Sequence, residues 1–465
     1  MERQGASTIL VTGASGFLGK AVLATLLARD DGSTRVLVLL RAPDGEAAAR
    51  RLWGEVLSGE PFAGLAPVGR EGMRREGRLR AVAGDLEAGR LDVAAEPAWG
   101  EVDTVIHCAA SVSFEEPLDT ILALNAFGPV CLLESLRAAG ARPHFVHVST
   151  AYAADCRRPA VGEDGPLHSA LASLDPEAML AQAREWRARE GGGGGDERAE
   201  RRLAERGRRY AVAAGWPDTY ALTKALGERL LGERSERTTI VRPTIIESAL
   251  RDPRPGWVEG IKVADPLILA YAARGLTHLA GDASNLIDIV PVDLVANACV
   301  AAALYPPERS RAIAVASSSR NPLAIGELAA HIKTYFRAEP LRRRNGAEIE
   351  IGDLRFVSRR QALRRAAARQ RIAAAAAMFP PPANRRRLRR NASLAAQVTR
   401  MVGIYAPYTE LSCAFQDDNA RALAAAMSPA EREALNFDPA AIEWGEYLQG
   451  IHLPAVRQMA ENRGR

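Results

Sequence analysis

Short β-rich apolar runs alternate with longer stretches of helical periodicity from the beginning of the chain. Thr8 to Val11, Arg35 to Leu40, Leu79 to Ala83, Thr104 to His107, His144 to Ser149, Thr239 to Val241 and Ala312 to Ala316 read as strands. Strands separated by helix-length segments require right-handed crossovers, so the pattern predicts an α/β fold with a doubly wound parallel sheet of the Rossmann type. Three stretches break the rhythm. Residues 175–210 are charged and helical, interrupted by the glycine run Gly191 to Gly195. Residues 246–284 carry Pro253, Pro255, Gly256 and Trp257, then an apolar helix near Pro266 to Arg274. Beyond Asn321 the strand pattern stops and the chain reads as helices, with a turn at Pro380 to Pro382.

Thr12-Gly13-Ala14-Ser15-Gly16-Phe17-Leu18-Gly19 follows the first strand and enters a helix expected to begin near Lys20. A side chain at the glycines would block the tight turn, the approach of backbone to a pyrophosphate, or the packing of helix on sheet. In that strand-to-helix context the motif implies a bound dinucleotide, with Thr12, Gly13, Ser15, Gly16, Phe17, Leu18 and Gly19 around it. The second strand ends at Arg41, where an enzyme selecting an unphosphorylated ribose presents an acid; arginine suits a 2′-phosphate and predicts NADPH over NADH. Asp85 either accepts from the adenine amine or caps the next turn. Leu86, the small residues Ala109 and Ala110, and Pro243 after strand six complete the expected cofactor contacts. The domain limits follow: residues 1–245, completed by about 285–320, bind NADPH; 246–284 form a substrate-binding segment; 321–465 form a mainly helical C-terminal region.

Tyr220 and Lys224, four residues apart between strands five and six, fall on one helix face. There the ammonium is expected to favour the phenolate and ready the tyrosine as a proton donor and acceptor. Ser149 and Thr150 follow strand five at the carboxyl edge, where either hydroxyl could polarise a carbonyl or merely close a turn; Thr150 is the first choice. His107 reads as a wall residue. Asn125 either bends its helix around a proton-relaying water or makes a buried polar contact. Together these residues suggest nicotinamide-dependent reduction of a carbonyl.

Composition adds little except locally. Of 61 basic residues only Lys20, Lys224, Lys262 and Lys333 are lysines, which points to coding bias rather than nucleic-acid binding, and no nucleic-acid partner is expected. Between Leu341 and Arg390, 15 arginines meet only Glu348, Glu350 and Asp353, so this stretch carries +12 in a chain of net charge +5. Five irregularly spaced cysteines read as reduced thiols of a cytoplasmic protein, and seven histidines without ligand spacing predict no metal. Met1 to Ser7 lacks a secretory pattern, and no stretch reaches the roughly 18 uninterrupted apolar residues of a membrane span.

The segment after strand six narrows the picture. It reads Arg242-Pro243-Thr244-Ile245-Ile246-Glu247-Ser248-Ala249-Leu250, then Pro253-Arg254-Pro255-Gly256-Trp257-Val258-Glu259-Gly260. Lys262-Val263-Ala264-Asp265, Asp288-Ile289-Val290-Pro291-Val292-Asp293 and the C-terminal Asn436-Phe437-Asp438-Pro439 and Ile451-His452-Leu453 accompany it. With the glycine loop and Tyr220/Lys224, these motifs resemble the extended short-chain dehydrogenase/reductase superfamily. Within it they resemble the fatty acyl-CoA reductases, the bacterial alcohol-forming members in particular.

The resemblance implies reduction of a long-chain acyl-CoA by NADPH to a fatty aldehyde and then to the primary alcohol. Tyr220, aided by Thr150 or Ser149, would serve both steps, while Lys224 holds the nicotinamide ribose and lowers the phenol's pKa. Leu267, Ile268, Leu269 and Tyr271 are candidates to line the acyl slot or simply to form a core helix. The rivals are a reductase performing one two-electron step, a nucleotide-sugar epimerase or dehydratase, and a non-catalytic NADPH-binding regulator. The glycine run and arginine-rich residues 359–390 depart from the family pattern. The latter admit three readings: a solvated face, a dock for CoA phosphates, or a peripheral contact with an anionic membrane.

Overall fold

The computed structural model describes residues 7–29, 32–64, 72–91, 97–164, 168–190, 196–261, 264–343, 345–378 and 384–464. The glycine run 191–195, Lys262, Val263 and the prolines at 380–382 lie outside the described residues.

Seven parallel strands form the central sheet: β1 (Thr8–Thr12), β2 (Arg35–Leu40), β3 (Leu79–Ala83), β4 (Thr104–His107), β5 (His144–Val148), β6 (Thr238–Pro243) and β7 (Arg311–Val315). Their order is β7-β6-β5-β4-β1-β2-β3. The strand order reverses beside β1, which pairs with β2 through Ile9 and Val36 and with β4 through Ile9 and Thr104. Ligands of such sheets lie outside the carboxyl ends of the strands at this switch point. β1 and β5 are buried along their whole length, as a parallel sheet covered on both faces requires.

Helix α1 (Phe17–Ala28) starts at Phe17, three residues before the expected Lys20, with extended Gly16 at its N-cap. Gly13 occupies φ +72°, and a Cβ there would stand 2.6 Å from the Ala109 nitrogen. At Gly19 a Cβ would come within 2.1 Å of the Gly13 carbonyl oxygen, so only glycine lets the helix close on its own loop. Helix α2 (Thr219–Gly232) carries Tyr220 and Lys224 and packs against β6. Its Glu228 forms a buried ion pair with Arg242 of β6 at 2.6 Å, and Arg242 Nη1 also donates to the Glu163 carbonyl at 2.9 Å.

The expectation that strands cease after Asn321 is corrected. Arg355–Val357 pairs in parallel with His278–Ala280, and Ala414–Phe415 with Ala160–Val161. Two or three residues are too few to display a period-two pattern, and their partners are far away in sequence. Leu341–Arg342 also pairs antiparallel with Glu348–Ile349, and the remainder is mainly helical, dominated by α4 (Arg359–Met378) packed on α5 (Arg385–Thr409). Ahead of these, α3 (Asp265–Ala272) crosses the 246–284 segment. That segment is fastened to α1 by Phe17 against Trp257, ring centroids 4.8 Å apart, and by Lys20 donating to Glu259 at 2.8 Å. By composition residues 118–138 are long and apolar enough to cross a membrane, yet more than half of that stretch is buried within the fold.

Breaking the Arg242–Glu228 pair leaves a buried charge without its partner. Arg242→Met should therefore lower unfolding free energy by about 3–5 kcal/mol, measured by urea denaturation. Replacing both residues by apolar side chains of similar volume should cost distinctly less.

Candidate functional site

A cavity of about 280 Å³ opens at the carboxyl ends of β1, β4, β5 and β6. Gly13, Gly16 and Leu18 of the glycine loop, Ala110, Ser149, Thr150, Tyr220, Lys224 and Pro243 all face it. The structure thus brings the four proposed catalytic side chains to one cavity together with the glycine cradle.

Lys224 is 2% exposed, and its ammonium donates to the Val148 carbonyl at 2.6 Å. Burial lowers its pKa to about 8. Tyr220 lies one turn earlier, where the Thr150 hydroxyl hydrogen-bonds the phenol. Burial first, and then the nearby Asp218 charge, push the phenol above its usual pKa; the Thr150 bond opposes them. The expectation that Lys224 draws the phenol's pKa down is therefore corrected. The ammonium is engaged with the backbone, and loss of hydration dominates.

The two hydroxyl candidates separate clearly. Thr150 bonds to the phenol and accepts from the Tyr152 N–H at 3.3 Å, whereas the buried Ser149 hydroxyl has no partner among the described residues. His107 is fully buried at the end of β4 and does not itself line the cavity. Its Nδ1 lies 2.9 Å from the Thr12 hydroxyl, its ring stacks on His147, and burial holds its pKa at about 3. Thr12 Oγ1 also accepts from the Ala109 N–H at 3.1 Å, tying the glycine loop to the end of β4. Asn125 lies where its helix widens to a π turn, Ala123–Phe127, and its amide clasps both backbone groups of Ser111 at 2.9 Å. It thus makes a buried polar contact at a distorted turn.

Arg41, Asp85 and Leu86 do not reach this cavity. They lie beyond the ends of β2 and β3, on the opposite flank of β1. Arg41 is exposed and 3.6 Å from Glu87. Asp85 caps its own turn, accepting from the Glu87 and Ala88 N–H groups at 3.1 Å, and Leu86 is core. Ser15 is exposed on the glycine loop. Of the four residues expected to line an acyl slot only Leu267 does so; Ile268 and Tyr271 turn into the core, and Tyr271 donates to the Gly352 carbonyl at 3.1 Å.

Several lining residues escaped the sequence reading. Tyr405 and Tyr408 arrive from the end of α5, and Phe114 meets Tyr220, Tyr405 and Tyr408 at centroid distances of 5.9–6.0 Å. Tyr408 donates to Asp218, the residue whose other oxygen caps α2 by accepting the Ala221 N–H at 2.8 Å. The only sequence signal was an aspartate in the N-cap position immediately before Thr219. On another wall His452 Nε2 lies 3.5 Å from Asp265 and 4.0 Å from Glu247, all three buried. Burial and the facing Asp265 hold the Glu247 carboxyl well above its usual range, and burial holds His452 near 4. No sequence spacing could reveal a cluster drawn from positions 247, 265 and 452.

The cradle at Gly13 and Gly19 fits a dinucleotide, since any side chain there would collide with backbone. Two families described as male sterility protein match the chain, an NAD-binding domain over residues 11–299 and a C-terminal domain over 383–461. The chain is 31% identical to fatty acyl-CoA reductase 8 of Arabidopsis thaliana, over 97% of this chain and 96% of that protein. It is 30% identical to the alcohol-forming fatty acyl-CoA reductase of Simmondsia chinensis, covering 96% of each, and 26% identical to a fatty acyl-CoA reductase of Xenopus laevis, over 95% and 82%. Among solved structures, the terminal R domain of the myxalamid biosynthetic pathway superposes with a TM-score of 0.63 at 18% identity, covering 99% of this chain and 92% of that one, which supports the fold.

Asp218 supplies a stability test. Burial raises its pKa to about 6, against an unfolded value of about 3.9. Its contribution is therefore fully present below about pH 4 and is lost as pH rises through about 6. Asp218→Asn, which keeps an N-cap, should lose less stability than the native chain when denaturant melts are compared at pH 4 and pH 7.

These relatives are plant and animal proteins, so the bacterial subdivision suggested by the motifs is not what they support; the chain belongs to the fatty acyl-CoA reductase family.

Proposed function

We propose that this protein reduces a long-chain fatty acyl-CoA, through the fatty aldehyde, to the primary alcohol, using NADPH. The observation that carries this reading is the phenol of Tyr220, hydrogen-bonded to Thr150 in a cavity walled on one side by the glycine cradle and on the other by aromatic and aliphatic side chains. Bound in the cradle, the nicotinamide cofactor supplies hydride to the thioester carbon and, in a second turnover, to the aldehyde carbon.

The chain's own groups manage the oxygen. Tyr220 hydrogen-bonds the thioester oxygen as charge develops on it, and Thr150 orients the phenol. The phenol's raised pKa keeps it protonated, the state a proton donor needs. Collapse of the tetrahedral adduct breaks the carbon–sulfur bond, the expelled thiolate takes a proton from water and leaves as CoA, and on the second hydride addition the aldehyde oxygen takes a proton from the same phenol, which regains it from solvent. Lys224 has three N–H donors and gives one to Val148, which leaves donors for the ribose hydroxyls. Arg41 is exposed at the end of β2, and an arginine at that strand end supports the choice of NADPH by offering a partner for a 2′-phosphate. Five unpaired cysteines are consistent with a reducing compartment, the cytoplasm.

Purified protein incubated with NADPH and acyl-CoAs of increasing length should release one CoA for every two NADPH consumed and yield the alcohol. A ratio of one would mean that the reaction stops at the aldehyde. Tyr220→Phe should lower kcat/KM by about 10²–10⁴-fold while still binding NADPH. Thr150→Val should cost more activity than Ser149→Ala. Arg41→Ala should raise the KM for NADPH and leave that for NADH nearly unchanged.

A further inference from the structure

Between Leu354 and Thr409 the chain has 13 arginines and no aspartate or glutamate. Most of these arginines, Arg365 and Arg369 included, are exposed, and these two, one turn apart on α4, line a second cavity of about 330 Å³. Arg369 is held there by backbone: Nη1 donates to the Gly275 carbonyl at 2.9 Å and the Thr277 hydroxyl at 3.2 Å, and Nη2 donates to the Arg274 carbonyl at 3.3 Å. Arg365 Nη1 meets His278 Nε2 at 2.5 Å. Among the described residues neither arginine has a carboxylate partner. Partial burial and then Arg365, Arg355 and Arg369 hold the His278 imidazole below its usual pKa. Arg274, at the turn that receives Arg369, adopts φ +58°, a left-handed conformation that a non-glycine residue keeps only under constraint.

The cavity floor is apolar, with Leu276 from the turn and Leu394 and Val398 from α5. Its position matters as much as its charge. The same two helices wall both cavities: α3 supplies Leu267 to the first and its C-terminal end Ala273 to the second, while α5 supplies Tyr405 and Tyr408 to the first and Asn391 to Val402 to the second. From Val398 to Tyr405 is about 10 Å along the helix. The two cavities therefore lie against one stretch of α5, the second basic and lined in part by apolar side chains.

We propose that this recess binds the phosphorylated adenine nucleotide end of the acyl-CoA thioester, with Arg365 and Arg369 on its phosphates and the purine on the Leu276–Leu394 floor. Paired guanidiniums suit phosphate oxygens, and the fixed carbonyl contacts of Arg369 reduce the ordering cost of binding. This inference rests on the acyl-CoA reading above. It assigns the task to the two arginines buttressed against residues 274–278, not to the exposed Arg385 and Arg386 at the start of α5.

The test compares acyl-CoA with the free fatty aldehyde of the same chain length. Arg365→Ala with Arg369→Ala should raise the acyl-CoA KM at least about tenfold, with aldehyde kinetics unchanged. Arg385→Ala with Arg386→Ala should alter neither. Adenosine 3′,5′-bisphosphate should compete with acyl-CoA in the native protein, leave aldehyde reduction untouched, and lose its effect in the Arg365/Arg369 double variant. The competition arm needs no substitution, so it stands even if the double variant fails to fold.

Equal KM changes on both substrates, or absence of competition, would overturn the proposal. So would an unchanged acyl-CoA KM accompanied by lost sedimentation with phosphatidylserine vesicles, which would assign these arginines to a membrane surface. A native protein that reduces aldehydes but no acyl-CoA would instead refute the underlying functional reading.

Discussion

A buried ammonium fixes the geometry of the cleft. Lys224 sits where an unpaired cation would be costly, and its 2.6 Å bond to the Val148 carbonyl joins α2 to the end of β5. Because a helix places residues four apart on one face, fastening Lys224 to that carbonyl also places Tyr220 above Thr150, two residues beyond Val148. The position of the phenol is thus set by the sheet. The reversal of strand order beside β1 brings the glycine loop to the same edge, so cofactor cradle and proton donor meet without any long loop reaching across.

Water exclusion comes from the other end of the chain. Tyr405 and Tyr408 of α5 close on Phe114 and Tyr220, and Tyr408 donates to the aspartate that caps α2. The same enclosure raises the phenol's pKa and would strengthen any hydrogen bond made to a developing oxyanion. On the opposite side Trp257 and Glu259 clamp the 246–284 segment onto α1. The C-terminal helices therefore complete the cleft rather than decorate it.

The parallel sheet and the glycine loop were legible because both rest on local signals: apolar runs of strand length, and glycines where a Cβ would strike backbone at Gly13 and Gly19. Tyr220 and Lys224 were legible through their spacing. Their electrostatics were not, since the lysine's engagement with Val148 and the burial of the phenol depend on tertiary packing. The helix at 265–272 was recognised as apolar, yet which of its residues face the cavity depends on its rotation, and of its apolar side chains Leu267 does, beside Asp265. Tyr408 on Asp218, and the grouping of Glu247, Asp265 and His452, join positions about 190 or more residues apart for at least one partner in each set, and no local pattern records such distances. The choice between Thr150 and Ser149 needed the phenol's position, which only the fold supplies.

The late strand at Ala414–Phe415, laid beside Ala160–Val161, has a bearing on how the molecule comes into being. During synthesis the nucleotide-binding half leaves the ribosome with that edge unpaired and with the slots for Tyr405, Tyr408 and His452 still open. Such non-local closure is slow and leaves apolar surface uncovered in the interval. Maturation of the nucleotide-binding half therefore waits on Tyr405 to His452, residues far from it in sequence.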